Sequence, residues 1–123
     1  MADFSFVLLY VDNPPKSAGF YSNLLGNPII DNSPTFAMLP LRDGVMLGLW
    51  IKTNIVPEAV GSPGASEIAF TEANNEAVMA TFEDWKRLGV KIAQTPAKVD
   101  FGFTFTALDP DGHRLRVFAP GAP

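Results

Sequence analysis

The strings Leu41-Arg42-Asp43-Gly44-Val45-Met46-Leu47-Gly48-Leu49-Trp50 and Leu108-Asp109-Pro110-Asp111-Gly112-His113-Arg114-Leu115-Arg116-Val117-Phe118 are two versions of one design. Each sets an Asp-Gly turn ahead of a strand that closes on a large aromatic ring. The match extends upstream: a strand, a helix started by Asn or Pro and a Leu-Gly stop run from Phe4 to Gly26 and again from Ser66 to Gly89. Matching residues drift apart slowly along the chain, Phe6 with Glu67, Gly26 with Gly89 and Gly44 with Gly112, as small loop insertions in a duplicated unit would produce. The chain therefore reads as one βαβββ unit written twice.

In the first copy, Phe4 to Val11 is a β-rich run with few polar breaks, the pattern of a strand covered on both faces. Asp12 or Asn13 caps a helix whose first turn takes Pro14 and Pro15, and Gly26 stops it. Ala18, Tyr21, Leu24 and Leu25 recur on it at helical spacing. A short strand is expected at Pro28 to Ile30 and a turn at Asp31 to Pro34. Phe36 to Leu41 and Val45 to Lys52 form a hairpin closed by Asp43-Gly44. The second copy has a strand at Glu67 to Thr71, a helix from Asn74 to Leu88, a strand at Val90 to Ala93, and a hairpin of Phe101 to Leu108 with His113 to Phe118. The fold class is α+β: one domain over residues 1–123, with module 1 at about 4–52, a linker at 53–65 and module 2 at about 66–118. The Ala119 to Pro123 tail is expected to fray.

A hydrophobic fraction of 47% with 18% charged residues describes a compact globule. Net charge −4 and scattered basic residues argue against nucleic acid as a partner, because phosphate binding needs a concentrated positive face. The absence of cysteine excludes disulfides, thiolate metal sites and cysteine nucleophiles. No apolar stretch approaches the roughly 20 residues of a membrane span, and no signal peptide is visible, so a cytoplasmic protein with no membrane partner is expected.

Leu9-Tyr10-Val11-Asp12, Ser17 with Phe20-Tyr21, Leu24-Leu25-Gly26 and Asp109-Pro110-Asp111-Gly112 resemble the vicinal oxygen chelate superfamily of glyoxalases, extradiol dioxygenases, fosfomycin-resistance enzymes and bleomycin-binding proteins. The resemblance covers nearly the whole chain in the family's order. It implies paired βαβββ modules with curled mixed sheets around a cleft, and a homodimer whose clefts draw on both chains. Enzymatic members hold a divalent metal at fixed strand positions, which align here with Phe6, Glu67 and Arg116. Phe6 has no donor atom and Arg116 brings positive charge where the cation would sit. Divalent metals need several O or N donors converging on one point. The resemblance therefore implies no metal, no cofactor and no catalytic residue of the family's kind. His113, the only histidine, follows a turn and is expected to be exposed.

If Phe6, Glu67 and Arg116 face the cleft as the resemblance implies, strand alternation adds Phe4, Leu8, Tyr10, Arg114 and Phe118, and in the first hairpin Met46, Gly48 and Trp50. Phe36 or Phe103 completes an aromatic wall, and Gly48 leaves room beside Trp50 for a flat ligand. Trp85, at helical spacing with Val78 and Phe82, belongs to the core. Arg116 has two open readings: a receptor for a carboxylate or phenolate, or an ion-pair partner of Glu67. Leu47-Gly48-Leu49-Trp50 and Ser66-Glu67-Ile68 further resemble the phenazine-antibiotic resistance proteins of this superfamily. The resulting expectation is a metal-free protein that sequesters a planar aromatic small molecule, such as a phenazine or bleomycin-like antibiotic. The alternatives are a metal-dependent lyase, isomerase or dioxygenase and, third, a small-molecule sensor or accessory subunit.

Overall fold

Residues 1–121 are described by a computed structural model. The chain divides into two compact units, Met1–Gly61 and a second beginning at Ser62. The first holds β1 (Phe6–Val11), α1 (Pro14–Leu25), β2 (Asp31–Asn32), β3 (Phe36–Arg42) and β4 (Val45–Ile51), then a 3-10 turn at Lys52–Asn54. Its sheet runs β1-β4-β3-β2, with β1 parallel to β4 and the other neighbours antiparallel. The second holds β5 (Glu67–Thr71), α2 (Asn75–Arg87), β6 (Lys91–Val99), β7 (Gly102–Leu108) and β8 (Arg114–Pro120). Its sheet, β5-β8-β7-β6, repeats the same mixed pattern. The architecture is α+β with two βαβββ modules. No helix among the described residues is long and apolar enough to cross a membrane.

Local chemistry sets both helices. Asn13 accepts the Lys16 amide hydrogen at 3.2 Å, Pro14 opens α1, and Gly26, at φ 74°, donates its N–H to the Ser22 carbonyl at 2.9 Å. Asn74 caps α2 through the Ala77 amide at 2.8 Å, with Glu76 in the first turn and Lys86 and Arg87 in the last, complementing the helix dipole. Each helix packs on one face of its own sheet. Tyr21 and Ala18 of α1 join Val11, Ala37, Leu39, Leu47 and Leu49, all fully buried. In the second unit Trp85 and Phe82 of α2 meet Phe105 edge-on at 5.4 and 5.3 Å, so Trp85 is core.

Several sequence expectations change. Within its unit β1 is covered on one face only: Phe6, Leu8 and Tyr10 remain 41–46% exposed because a single helix serves the sheet. Phe4 precedes the strand and is exposed. β2 lies at Asp31–Asn32, where a turn was expected, and not at Pro28–Ile30: proline has no N–H for a ladder, and the first link is Ile30 N–H to the Met38 carbonyl. β6 extends well past Ala93 to Val99, because its register shifts between Ile92 and Gln94 and again between Gln94 and Ala97, letting an edge strand absorb Pro96. His113 is half-buried, since its amide is held by the Asp109 carboxylate at 2.9 Å and its carbonyl accepts the Asp109 N–H. Ala119 and Pro120 belong to β8, with Ala119 buried, so the tail does not fray there; Ala122 and Pro123 lie outside the described residues.

Gly102 starts β7 at φ 149°, where a Cβ would stand 2.0 Å from the Ala119 carbonyl oxygen. Gly112, at φ 96°, has only Pro63 Cβ nearby at 3.7 Å. Gly102→Ala is therefore expected to cost about 2 kcal/mol or more, and Gly112→Ala about 1 kcal/mol, as measured by urea denaturation. Equal costs would remove the steric argument.

Candidate functional site

The open face of the first sheet is apolar along β1, β3 and β4, and at the β2 margin Asp31 stands beside Met38. Register places Phe6 beside Met46, Leu8 beside Gly48 and Tyr10 beside Trp50, and across the sheet Phe36 beside Trp50, Met38 beside Gly48 and Pro40 beside Met46. These residues alternate with Ala37, Leu39, Leu47 and Leu49, which the helix covers, so they share the other side. Phe6, Leu8, Phe36 and Trp50 line a cavity of about 490 Å³ on this face. The Tyr10 ring stands edge-on to Trp50 at 6.5 Å. Six expected residues, Phe6, Tyr10, Phe36, Met46, Gly48 and Trp50, thus share one surface. Met38 and Pro40 were not anticipated, although alternation from Phe36 supplies them.

One expectation about this face is corrected. The room created by Gly48 is already taken: a Cβ there would meet Leu8 Cδ2 at 2.5 Å and the Phe36 ring at 3.1 Å. The glycine lets Leu8 and Phe36 lean over the β4 backbone, and the cavity opens beside them.

The corresponding face of the second sheet is polar. Arg116 donates from Nε and Nη2 to the two carboxylate oxygens of Glu67 at 2.7 and 2.8 Å. Its Nη1 donates to Gln94 Oε1 at 3.3 Å and Thr104 Oγ1 at 3.2 Å. Thr104 passes its own hydrogen to the Val117 carbonyl, and Thr106 donates to Gln94. The guanidinium also lies 5.8 Å from the Phe101 ring centre, and Phe101 packs edge-on against Phe118 at 5.5 Å. Of the two readings of Arg116, the ion pair with Glu67 is the one present, and 18% and 28% of the two side chains remain exposed. Phe103 is not on this surface. It is one residue out of phase with Thr104, pairs with buried Ala119, and shares the side of Phe105 and Ala107. Sequence reasoning missed Gln94, Thr104 and Phe101; Gln94 was lost when β6 was ended at Ala93.

The hydrogen bonds from Arg116 hold the Glu67 carboxyl below the ordinary glutamate range; partial burial opposes this, and the charges of Arg116 and Arg114 add to it. Of the positions that the resemblance equates with metal ligands, Phe6 is a ring without donor atoms, and the two oxygens of Glu67 are both bound by the third, Arg116. Among the described residues no three His, Cys, Asp or Glu side chains converge. This donor set does not fit a divalent metal.

The sequence profile of the glyoxalase/bleomycin resistance protein/dioxygenase superfamily matches residues 4–117. The chain belongs to that superfamily. The chain is 29% identical over 114 residues to the phenazine antibiotic resistance protein EhpR of Enterobacter agglomerans, covering 89% of this chain and 86% of that protein. A solution NMR structure of an Agrobacterium tumefaciens protein is 48% identical, with TM-score 0.88 over 99% of this chain and 100% of the other. The fold is also that of a glyoxalase-related enzyme from Fulvimarina pelagi, at 21% identity and TM-score 0.81 over 97% and 88% of the two chains.

The depressed Glu67 pKa has a definite sign in stability. Its contribution is full above the ordinary glutamate value of about 4.3 and is lost as the pH falls through the lower folded-state value. Wild type should thus exceed Glu67→Gln in urea midpoint at neutral pH, with the gap closing in acid. A gap independent of pH would show that the charge is not what the pair contributes.

Proposed function

We propose that this superfamily member binds a planar aromatic small molecule without chemical change and protects by sequestration, with a phenazine or bleomycin-like antibiotic as the ligand class. The observation that carries the reading is the apolar cavity walled by Phe6, Leu8, Phe36 and Trp50. Rings of this kind offer flat contact area at low entropic cost, and a stacked pair adds about 0.5–1.5 kcal/mol beyond burial. Pockets that hold small ligands are mostly apolar with few polar groups, and this one matches that description. The superfamily's antibiotic-resistance members, and a phenazine resistance protein among the relatives, support the same class. The working form is a cytoplasmic homodimer with two equivalent sites. Sequestration acts by mass action, so it requires tight binding at one ligand per chain and no turnover.

The test is equilibrium dialysis of phenazines against wild type and Trp50→Ala. Trp50 is half-buried at the surface of its sheet, so its truncation is expected to weaken binding at least about tenfold while leaving the thermal midpoint nearly unchanged. Recovery of chemically altered ligand, or unchanged affinity in the variant, would overturn the reading.

A further inference from the structure

We infer that Gly48 sets the depth of the first unit's apolar cavity by positioning two of its walls, and that a side chain at this position closes the cavity to a three-ring ligand. This rests on the binding function proposed above and adds what limits the size of the ligand. Phe6, Leu8, Phe36 and Trp50 line the cavity, and Gly48 lies in the sheet beneath two of them. It stands beside Leu8 of β1 on one side and Met38 of β3 on the other, with Phe36 two residues from Met38 on the same face. Leu8 and Phe36 thus reach over the β4 backbone from opposite strands. A Cβ at Gly48 would stand 2.5 Å from Leu8 Cδ2, and 3.1 and 3.2 Å from Phe36 Cζ and Cε1.

Backbone conformation does not account for this glycine, whose φ lies outside the left-handed region. A glycine inside a strand is less stable than an alanine there, and it marks a place where something approaches the backbone closely. Here the approaching groups are two cavity walls. The second unit fills the equivalent place the other way round: Arg116 stands where Gly48 does, and its neighbour on the parallel strand is Ala69 where the first unit has Leu8. In each unit one member of the pair is large and the other small, so the two strands divide a fixed space between them. A Cβ at position 48 is relieved by Leu8 and Phe36, because free side-chain ends yield before a strand backbone does, and Leu8 is 46% exposed. The backbone lies below them, so they move outward from the sheet, into the space the ligand would fill.

Gly48→Ala, Leu8→Val and the double variant test this in the full chain, by equilibrium dialysis of phenazine at neutral pH. Gly48→Ala should weaken binding at least about tenfold while its thermal midpoint stays level or rises. Leu8→Val shortens the side chain that reaches position 48, so adding it to Gly48→Ala should recover most of the lost affinity. Affinity in Gly48→Ala that equals or exceeds that of wild type, or a loss that the double variant does not recover, overturns the inference and leaves aromatic binding standing. Wild type that retains no phenazine overturns the binding function itself, and this inference with it.

Discussion

A four-stranded sheet with one helix can bury only one of its faces, and both units of this protein are built under that constraint. Alternation along β3, β4, β7 and β8 sends one set of side chains under the helix, where Leu47, Leu49, Phe105 and Val117 are closed off from water. The other set is left to face outward from the unit. What that set consists of is free of the demands of the core, so this is where the two units differ. In one the outward set is aromatic and aliphatic; in the other it is a hydrogen-bonded polar lattice.

The divergence is sharpest at one pair of corresponding positions. Gly48 contributes no side chain, and its neighbours Leu8 and Phe36 spread across the bare backbone. Arg116 fills its equivalent place with the most demanding donor available, and Glu67, Gln94 and Thr104 have to be present to satisfy it. The fork between Arg116 and Glu67 also determines what chemistry is closed to the site. A carboxylate gripped on both oxygens by a guanidinium is neither a free base nor a ready metal ligand. The superfamily's scaffold is kept, and an internal contact joins two of the positions that the resemblance equates with metal ligands.

Much of this plan was legible in the chain. Asp43-Gly44 and Asp111-Gly112 announce the hairpins, and Asn13, Asn74, Gly26 and Gly89 bracket the helices, because each of those residue types does a local job that needs no distant partner. With Phe6 set on the cleft side by the family resemblance, period-two alternation collected Tyr10, Met46 and Trp50 with it. The failures that bear on the second sheet's site are non-local. The sequence reading ends the strand at Ala93, and only pairing with β7 shows that it runs on through Gln94, Thr95 and Pro96 on bulges. Phe103 was put on the wrong face because its phase depends on the register set across the five residues between Leu108 and Arg114. A glycine in the sequence says that no side chain starts at position 48, not which neighbours move in.

The margins of the two sheets carry a separate consequence. A chain with this much apolar strand is at risk of adding further strands end over end, since an open edge is a template for another chain. Here the β2 margin is two residues long, and the β6 margin is interrupted by Pro96 and two changes of register. Neither offers the long, regular row of N–H and carbonyl groups that a fibril needs to grow. The same irregularities that hid these strands from view in the sequence keep the folded protein from polymerising along those borders.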